Sequence, residues 1–341
     1  MGDQREKRGG AARTEQDETN GQARVEQIEF AGQAPSGTAS TQQKRFEAAV
    51  ASFVDKVKDD PNVIAVVLYG SVAKGTAWEK SDIDVMLVVR DQKLMNTVYG
   101  IYEDNITFGL DICLRSDLKR SMEKALAGSV GHSIDSTSKI VFTRDDSLYE
   151  YFDDNARIGK ADMERTIFNS VNWLLGLADK VDKWLTVTRD ADYARYYILK
   201  AAEVIAQIEV MSHRLIPTRE AILQATAVNP DLMRTFYIEP MSRGMDEAEL
   251  RELLKKIHEY IQTKMDSVLS VVDDYFGDGE IKTGTMITRH FKENMHLMHP
   301  ILDYLSDKGY LSKVSQTIRI TPKGKPCVEE VAFMINEKGI R

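Results

Sequence analysis

The chain has 341 residues, of which 43% are apolar and 29% are charged, and its net charge is −8. This composition excludes a largely disordered or fibrous protein, and the charge argues against a protein that coats nucleic acid with its whole surface. The longest uncharged apolar run, Val63–Tyr69, is much shorter than the roughly 20 residues of a membrane-spanning helix, and two cysteines cannot form a disulfide framework. We therefore expect a cytoplasmic protein with two or three domains.

The first 150 residues consist of a polar tail followed by alternating helix and strand patterns. Residues 1–42 hold few large apolar side chains and cannot bury enough surface to offset the entropy of ordering, so we expect a disordered tail. From Phe46 onwards, apolar residues recur at spacings of three and four, which is typical of a helix. The following segments predict strands at Val63–Tyr69, Ile83–Val89, Ile106–Leu114 and 138–143, a short helix after Gly70 and another helix over 94–102.

The remaining residues show mainly helical periodicity. The spacing of apolar positions predicts helices over 167–185, 193–215 and 246–276, which is typical of a bundle. After Gly277 and Gly279 the pattern predicts two helices, a strand over 315–321 and a last helix. We therefore expect a tail over 1–42, an α/β domain with a mixed sheet and flanking helices over 43–150, a helical bundle over 151–279 and a small α+β domain over 280–341.

The most informative motif lies between two of the predicted strands. Gly70 and Ser71 follow the first strand, and Asp82 and Asp84 stand where the next one begins. Two residues that are two apart on a strand point from the same face, so both carboxylates can reach one site. Their mutual repulsion favours a hard cation such as Mg²⁺, which prefers oxygen ligands and retains substrate phosphates in its shell.

A third carboxylate is available on a later strand. Ile106, Phe108 and Leu110 alternate onto one face of that strand, and Asp111 points from the other. Asp104, in the preceding loop, is the alternative candidate. Three aspartates at one place could hold two ions.

This arrangement resembles the nucleotidyltransferase superfamily related to DNA polymerase β, and in particular its minimal and aminoglycoside-modifying prokaryotic members. The family pattern of Gly-Ser, ten residues and Asp-x-Asp matches at Gly70, Ser71, Asp82 and Asp84, and Asp111 matches the third carboxylate. The segment 128–146 also resembles the part that closes this domain in those proteins. The resemblance covers about residues 45–215 and implies a nucleotidyltransferase fold for the α/β domain.

The resemblance further implies transfer of a nucleoside monophosphate from a nucleoside triphosphate to an acceptor hydroxyl, with release of pyrophosphate. Two Mg²⁺ ions would be bridged by Asp82 and Asp84, and Asp111 would bind the ion that activates the acceptor. Gly70 and Ser71 would hold the β and γ phosphates, and Lys74 could add positive charge there. ATP is the expected triphosphate. The resemblance leaves the oligomeric state open, with a homodimer as one candidate, because many relatives build their cleft at a dimer interface.

A candidate general base lies on the second long helix of the bundle. Tyr196, Lys200, Glu203 and Gln207 form a polar stripe on this helix. Because a helical-domain glutamate deprotonates the acceptor in the aminoglycoside enzymes, Glu203 is the candidate general base by its location. The competing interpretation is an exposed ion pair between Lys200 and Glu203.

The last 60 residues resemble the latter part of a winged-helix domain. Residues 281–325 contain eight basic and three acidic residues, so this segment could contact nucleic acid, or it could dock a protein. Our first interpretation is an enzyme whose acceptor is a small hydroxylated molecule, such as an aminoglycoside-like compound, or a protein. The alternative is a nucleotide-sensing DNA-binding regulator that depends on Arg319 and Lys323, and a third possibility is untemplated tailing of nucleic acid.

Overall fold

The computed structural model describes residues 24–25, 37–124, 132, 136–155 and 157–336. Within these residues the chain forms two compact units, Met1–Ser116 with Lys139–Tyr149 and Asp117–Ser138 with Glu150–Arg341. In the described part of the chain, no helix is long and apolar enough to cross a membrane. Most of the tail predicted over 1–42, and part of the segment 128–146, lie outside the described residues.

The first unit is built on a mixed sheet, which has six strands among the described residues. The strands are β1 (Arg24–Val25), β2 (Val63–Tyr69), β3 (Ile83–Val89), β4 (Val98–Glu103), β5 (Ile106–Leu114) and β6 (Lys139–Thr143). Their order in the sheet is β1-β6-β2-β3-β5-β4, and β3 and β5 are parallel whereas the other neighbouring pairs are antiparallel. The bounds of β2, β3 and β5 coincide with the prediction.

Two helices of the first unit define its core and its polar turn. Helix α1 (Gly37–Val57) buries Phe46, Val50 and Phe53 against the sheet, where Phe53 stacks on Phe108 at a centroid distance of 5.6 Å. Helix α2 (Gly70–Lys74) follows β2 directly. Because α1 covers the apolar face of β3 and β5, the alternating polar residues of these strands lie on the other face.

The helix predicted over 94–102 is wrong, since this segment contains β4, antiparallel to β5. The two strands are joined by Asp104 and Asn105, whose φ angles are +52° and +60°. The backbone twist of a two-residue turn with positive φ matches the right-handed twist of the two strands that it joins. Asp and Asn are among the residues that tolerate positive φ. Pairing with β5 therefore overrides the local helical spacing.

Two short stretches of the tail predicted over 1–42 belong to described elements. Helix α1 begins at Gly37 rather than after residue 42. Arg24 and Val25 pair with Thr143 and Phe142 of β6. This pairing uses main-chain groups of an edge strand, which a polar composition does not exclude.

The second unit is a helical assembly with a large apolar core and a smaller separate apolar cluster. Its helices pack residues such as Phe168, Val171, Ile205, Ile257 and Val272 together. Helix α3 (Arg115–Lys124) and helix α4 (Ser147–Asn155) each begin in the first unit and continue into the second. The bundle contains α5 (Lys160–Lys183), a π-helical turn (Trp184–Thr188), α6 (Ala191–Ser212), α7 (Ala221–Val228), α8 (Pro230–Met233), a second π-helical turn (Arg234–Ile238), α9 (Glu239–Ser242), α10 (Glu247–Gln262) and α11 (Met265–Phe276).

The single helix predicted over 246–276 is instead two helices, α10 and α11. Thr263 lies at the break, and its hydroxyl donates to the carbonyl of Tyr260 at 2.7 Å. The ammonium of Lys264 turns towards Glu209 at 3.1 Å. Side-chain bonds of this kind compete with regular helix hydrogen bonding, which the apolar spacing alone does not reveal.

The C-terminal segment adds helices and a small sheet to this same core. It contains β7 (Lys282–Thr283), α12 (Gly284–Phe291), α13 (Met295–Asp307), β8 (Leu311–Ile318) and β9 (Val328–Ile335), with sheet order β7-β9-β8. The last helix predicted after residue 326 is wrong, because Val328–Ile335 pairs with β8 along its whole length. Ile287, Leu302 and Phe333 share the core of the bundle, so the boundary predicted at 279/280 does not separate two cores.

Candidate active site

The register of the sheet brings the predicted site residues together on the polar face of the first unit. Tyr69 of β2 pairs with Asp84 of β3, which pairs with Gly109 of β5, and Gly109 pairs with Gly100 of β4. Two residues further along these strands, Met86 of β3 pairs with Asp111 of β5. Asp84 and Asp111 therefore project from the same face of neighbouring parallel strands, one row apart.

Gly70 allows the chain to turn closely beside Asp84. Its φ is +73°, and a Cβ atom at this position would overlap Oδ2 of Asp84. On the other side, a Cβ atom at Gly109 would lie 3.4 Å from Oδ1 of Asp84, an ordinary van der Waals contact. The carboxylate thus lies between two glycines, and position 70 favours glycine both by its positive φ and by its close approach to Asp84.

The side chain of Tyr69 interacts with all three predicted carboxylates. Its hydroxyl donates to Oδ2 of Asp111 at 2.5 Å. Burial raises the pKa of Tyr69, and the hydrogen bond to Asp111 and the negative charges of Asp111, Asp84 and Asp82 raise it further. A neutral, donating phenol therefore holds the third carboxylate in place.

Asp82 lies just before β3 and is exposed. It lines a cavity of about 350 Å³ whose other walls come from α1, from the segment that precedes β3 and from the start of β5. The guanidinium of Arg45, also in this wall, donates to the carbonyl of Asn105 at 3.1 Å. Asp82 is therefore accessible from a polar hollow at the end of the sheet.

These residues suit a hard divalent cation by their chemistry. Asp84 and Asp111 on one face, with Asp82 just before β3, supply the oxygen ligands that Mg²⁺ prefers, and Asp84 lies against the backbone of two glycines. Within the described residues, no three acidic, histidine or cysteine side chains share one ion-binding point. Oδ2 of Asp111 accepts a hydrogen bond from Tyr69, and the other lone pairs of this carboxylate can serve as ligands for an ion.

The remaining predicted residues occupy varied positions. Ser71 and Lys74 lie in α2, beside the turn at Gly70, and both are partly exposed. Asp104 is exposed in the hairpin turn, so Asp111 rather than Asp104 neighbours Tyr69. Glu203 is exposed on α6, in the second unit.

Tyr69 is not among the site residues predicted from the sequence, although strand alternation would place it on the face of Asp84. Tyr69 is the last residue of β2, directly before Gly70. An antiparallel neighbour of Asp84 at this position must project from the same face as Asp84. The contact with Asp111 required the order of the strands, which alternation does not give.

Replacing Gly70 by alanine should destabilise the first unit more than the same change at Gly75. Both residues have nearly the same positive φ, +73° and +72°, but a Cβ atom at Gly75 meets nothing within 4 Å. The left-handed conformation alone costs about 1–2 kcal/mol, so Gly75→Ala measures that cost and Gly70→Ala adds the clash with Asp84. Urea unfolding of both variants tests this, and equal losses in the free energy of unfolding would contradict the close approach.

Comparison with known proteins agrees with this arrangement. Residues 53–147 match the family model described as "Polymerase beta, Nucleotidyltransferase". The fold is similar to the crystal structure of a nucleotidyltransferase-like protein from Exiguobacterium sibiricum 255-15, with a TM-score of 0.60 and 16% sequence identity over 85% of this chain and 99% of that one. No curated protein matches the chain by sequence.

Proposed function

We propose that the protein transfers a nucleoside monophosphate from a nucleoside triphosphate, with ATP as the expected donor, to an acceptor hydroxyl, because residues 53–147 match the nucleotidyltransferase family model. The observation that carries this proposal is the placement of Asp84 and Asp111 on one face of β3 and β5, with Asp82 at its end and Gly70 in contact range of Asp84. A degenerate domain would have no use for carboxylates brought this close to one another.

In this proposal Asp82, Asp84 and Asp111 would hold two Mg²⁺ ions. When bound, such ions would lower the pKa of the attacking hydroxyl and neutralise the leaving pyrophosphate. The acceptor oxygen forms a bond to the α-phosphorus, and the bond from the α-phosphorus to the bridging oxygen of the β-phosphate breaks. The turn at Gly70 and Ser71 would contact the β and γ phosphates, with Lys74 beside it, and Tyr69 would keep Asp111 oriented.

The proton of the acceptor hydroxyl needs a base, for which Glu203 is the candidate. Its exposure on α6 leaves it accessible to a substrate. The alternative role is the surface ion pair with Lys200, but no such pair lies within 4 Å among the ion pairs of the described residues, and the Lys200 ammonium lies 5.1 Å from the ring of Tyr196. Because a general base must be deprotonated to act, it causes kcat to fall at low pH. Glu203→Gln should therefore remove this acidic limb from the plot of kcat against pH.

The acceptor class is decided by labelling. The protein is incubated with Mg²⁺ and α-labelled ATP in the presence of cell extract that has been divided into small-molecule, protein and nucleic-acid fractions. We expect label in the small-molecule or the protein fraction and none with the Asp82→Asn/Asp84→Asn double variant. Label in no fraction, with wild-type protein shown to be folded, would contradict the proposed transfer.

We further propose that the C-terminal segment is a winged helix that contacts nucleic acid through its wing. The element order β7-α12-α13-β8-β9 with sheet order β7-β9-β8 supports this fold. The connection between β8 and β9 exposes Arg319, Lys323 and Lys325. Helix α13 carries Asp303 and Asp307 instead, so the basic wing is the surface that suits phosphates.

Nucleic-acid binding of this kind should depend on salt. In Arg319→Gln/Lys323→Gln protein, the slope of log K against log salt concentration for a random-sequence DNA duplex should fall by about 2, since each lost phosphate contact removes about 0.9. The double variant Lys255→Gln/Lys256→Gln, with the same charge change on exposed positions of α10, is the control. Equal slopes for the two double variants would exclude the wing as the contact.

A further inference from the structure

The second unit contains a cavity that the proposed transfer does not use. Its volume is about 500 Å³, within the range of small-molecule sites, and it lies between α5, α6 and the start of α13. Trp173 and Tyr197 line it with aromatic rings, and Trp173 is 55% exposed. An exposed indole beside a concave apolar surface is the feature by which proteins bind flat ring systems.

The wall of this cavity is opened by a glycine in the middle of α5. Gly176 costs roughly 0.5–1 kcal/mol relative to alanine in a helix interior. A Cβ atom there would meet only Cγ of Pro300, at 3.6 Å, so no close approach of helices requires a glycine. The absent side chain instead leaves room in the cavity that Gly176 lines.

The opposite wall is held by an unusual join between α5 and α13. The buried amide of Asn172 donates to the carbonyl of Leu297 and accepts from the backbone N–H of Ile301 at 3.1 Å. These are the two groups that would bond each other in a regular helix, so Asn172 is inserted into the hydrogen-bond ladder of α13 next to Pro300. The start of α13 is thereby fixed against α5 at the edge of the cavity.

The charged residues around the cavity are mostly basic. Lys180, Lys183 and Lys200 line it, against one acidic residue, Asp179. Among the described residues, the ion pairs within 4 Å include none made by these three lysines, although acidic residues outnumber basic ones in the chain, 53 to 45. The ammonium of Lys200 lies over the rings of Tyr196 and Tyr197, at 5.1 and 6.0 Å. The positive charge is thus available to a bound anion.

We propose that this cavity binds a small organic anion with a flat aromatic ring system. The ring contacts Trp173 and Tyr197, and its anionic group lies towards Lys180, Lys183 and Lys200. The volume limits the ligand to a small molecule, and the charge disfavours a cationic ligand such as an amino sugar. None of the residues that line this cavity has a role in the proposed transfer, so Asp84→Asn protein should bind the same ligand unchanged.

The test uses two probes that share one ring system, 8-anilinonaphthalene-1-sulfonate and the neutral N-phenyl-1-naphthylamine. We expect saturable binding of one sulfonate per chain, with a lower Kd than that of the neutral probe. Lys180→Gln/Lys183→Gln should raise the Kd of the sulfonate about 3- to 10-fold at low ionic strength and change that of the neutral probe less than about 2-fold.

Two further variants place the probe in this cavity. Gly176→Leu fills the space without changing charge and should weaken both probes at least about 10-fold, with circular dichroism and thermal unfolding as checks on folding. Lys255→Gln/Lys256→Gln, on exposed positions of α10, should leave both Kd values unchanged. The proposal would be overturned by equal effects of the two lysine double variants or by equal affinity for the two probes. It would also be overturned by the absence of saturable binding, or by unchanged binding in folded Gly176→Leu protein.

Discussion

Asp84→Asn should lower nucleotidyl transfer by about 10³-fold or more, because bound metal ions supply several kcal/mol of charge stabilisation in the transition state and each 1.36 kcal/mol corresponds to a factor of ten. Asparagine has nearly the same shape and keeps one oxygen ligand but removes the negative charge. Asp84 lies against Gly70 and Gly109, so a shape-conserving change isolates the charge. The initial rate of α-label transfer at saturating ATP measures the effect.

Asp111→Asn and Asp104→Asn form a matched pair for the same experiment. Asp111 shares the face of Asp84 and accepts from Tyr69, so its variant should lose most activity. Asp104 is an exposed turn residue with a φ of +52°, which asparagine adopts well, so its variant should keep full activity. Loss of activity in Asp104→Asn protein, with Asp111→Asn protein fully active, would reverse the assignment of the third carboxylate.

Glu209→Ala should cost the second unit about 3–5 kcal/mol of its free energy of unfolding, because it removes one partner of a buried ion pair. Glu209 is 6% exposed. Its carboxylate accepts from the ammonium of Lys264 at 3.1 Å, the amide of Asn229 at 2.8 Å and the hydroxyl of Tyr260 at 3.0 Å. Urea unfolding of Glu209→Ala against wild type measures the loss.

A second variant separates the charge from the packing. Glu209→Leu/Lys264→Met removes both charges and should recover much of the loss, since a buried ion pair is often replaced by apolar residues at little cost. If Glu209→Ala unfolds with the free energy of wild type, the network does not stabilise the bundle. If the double variant is as unstable as Glu209→Ala, packing and not the buried charge dominates.

The same network makes the second unit sensitive to acid. Burial alone would raise the pKa of Glu209, but the hydrogen bond from Asn229, the charge of Lys264 and the hydrogen bonds from Lys264 and Tyr260 outweigh it and lower the pKa below its ordinary 4.5. A carboxyl group with a lowered folded-state pKa stabilises the fold above its unfolded value and loses this contribution as the pH falls through the folded value. Stability of wild type should therefore fall below about pH 4.5 more steeply than that of Glu209→Gln.

Much of the first unit could be predicted because its signals are local. Three of the central strands have β-branched or alternating sequences with clear turn residues at their ends, and their bounds agree with the structure. Strand alternation places Asp84 on the polar face, but Asp82 lies before the first residue of β3, so alternation alone does not fix its face. Asp111 could be placed on a face, but its neighbour Tyr69 depended on the strand order, which no short-range pattern contains.

The errors arise where distant pairing decides the structure. Strand β4 was predicted as a helix because its apolar spacing is ambiguous, although the pair Asp104 and Asn105 is a hairpin signal. Strand β9 was predicted as a helix because its pairing with β8, across the connection 319–327, is not a local signal. The sequence does not predict the buried network of Glu209, because the partners Asn229 and Lys264 lie 20 and 55 residues away.

The most direct test of the proposed chemistry compares ATP labelled at the α-phosphate with ATP labelled at the γ-phosphate. Each is incubated with Mg²⁺, the full-length protein and total cell extract, and the products are separated. We predict that α-label enters an acceptor, that γ-label appears in pyrophosphate, and that both products are lost with the Asp82→Asn/Asp84→Asn double variant. Transfer of γ-label to an acceptor, or transfer of α-label that persists in the double variant, would contradict nucleotidyl transfer at this site.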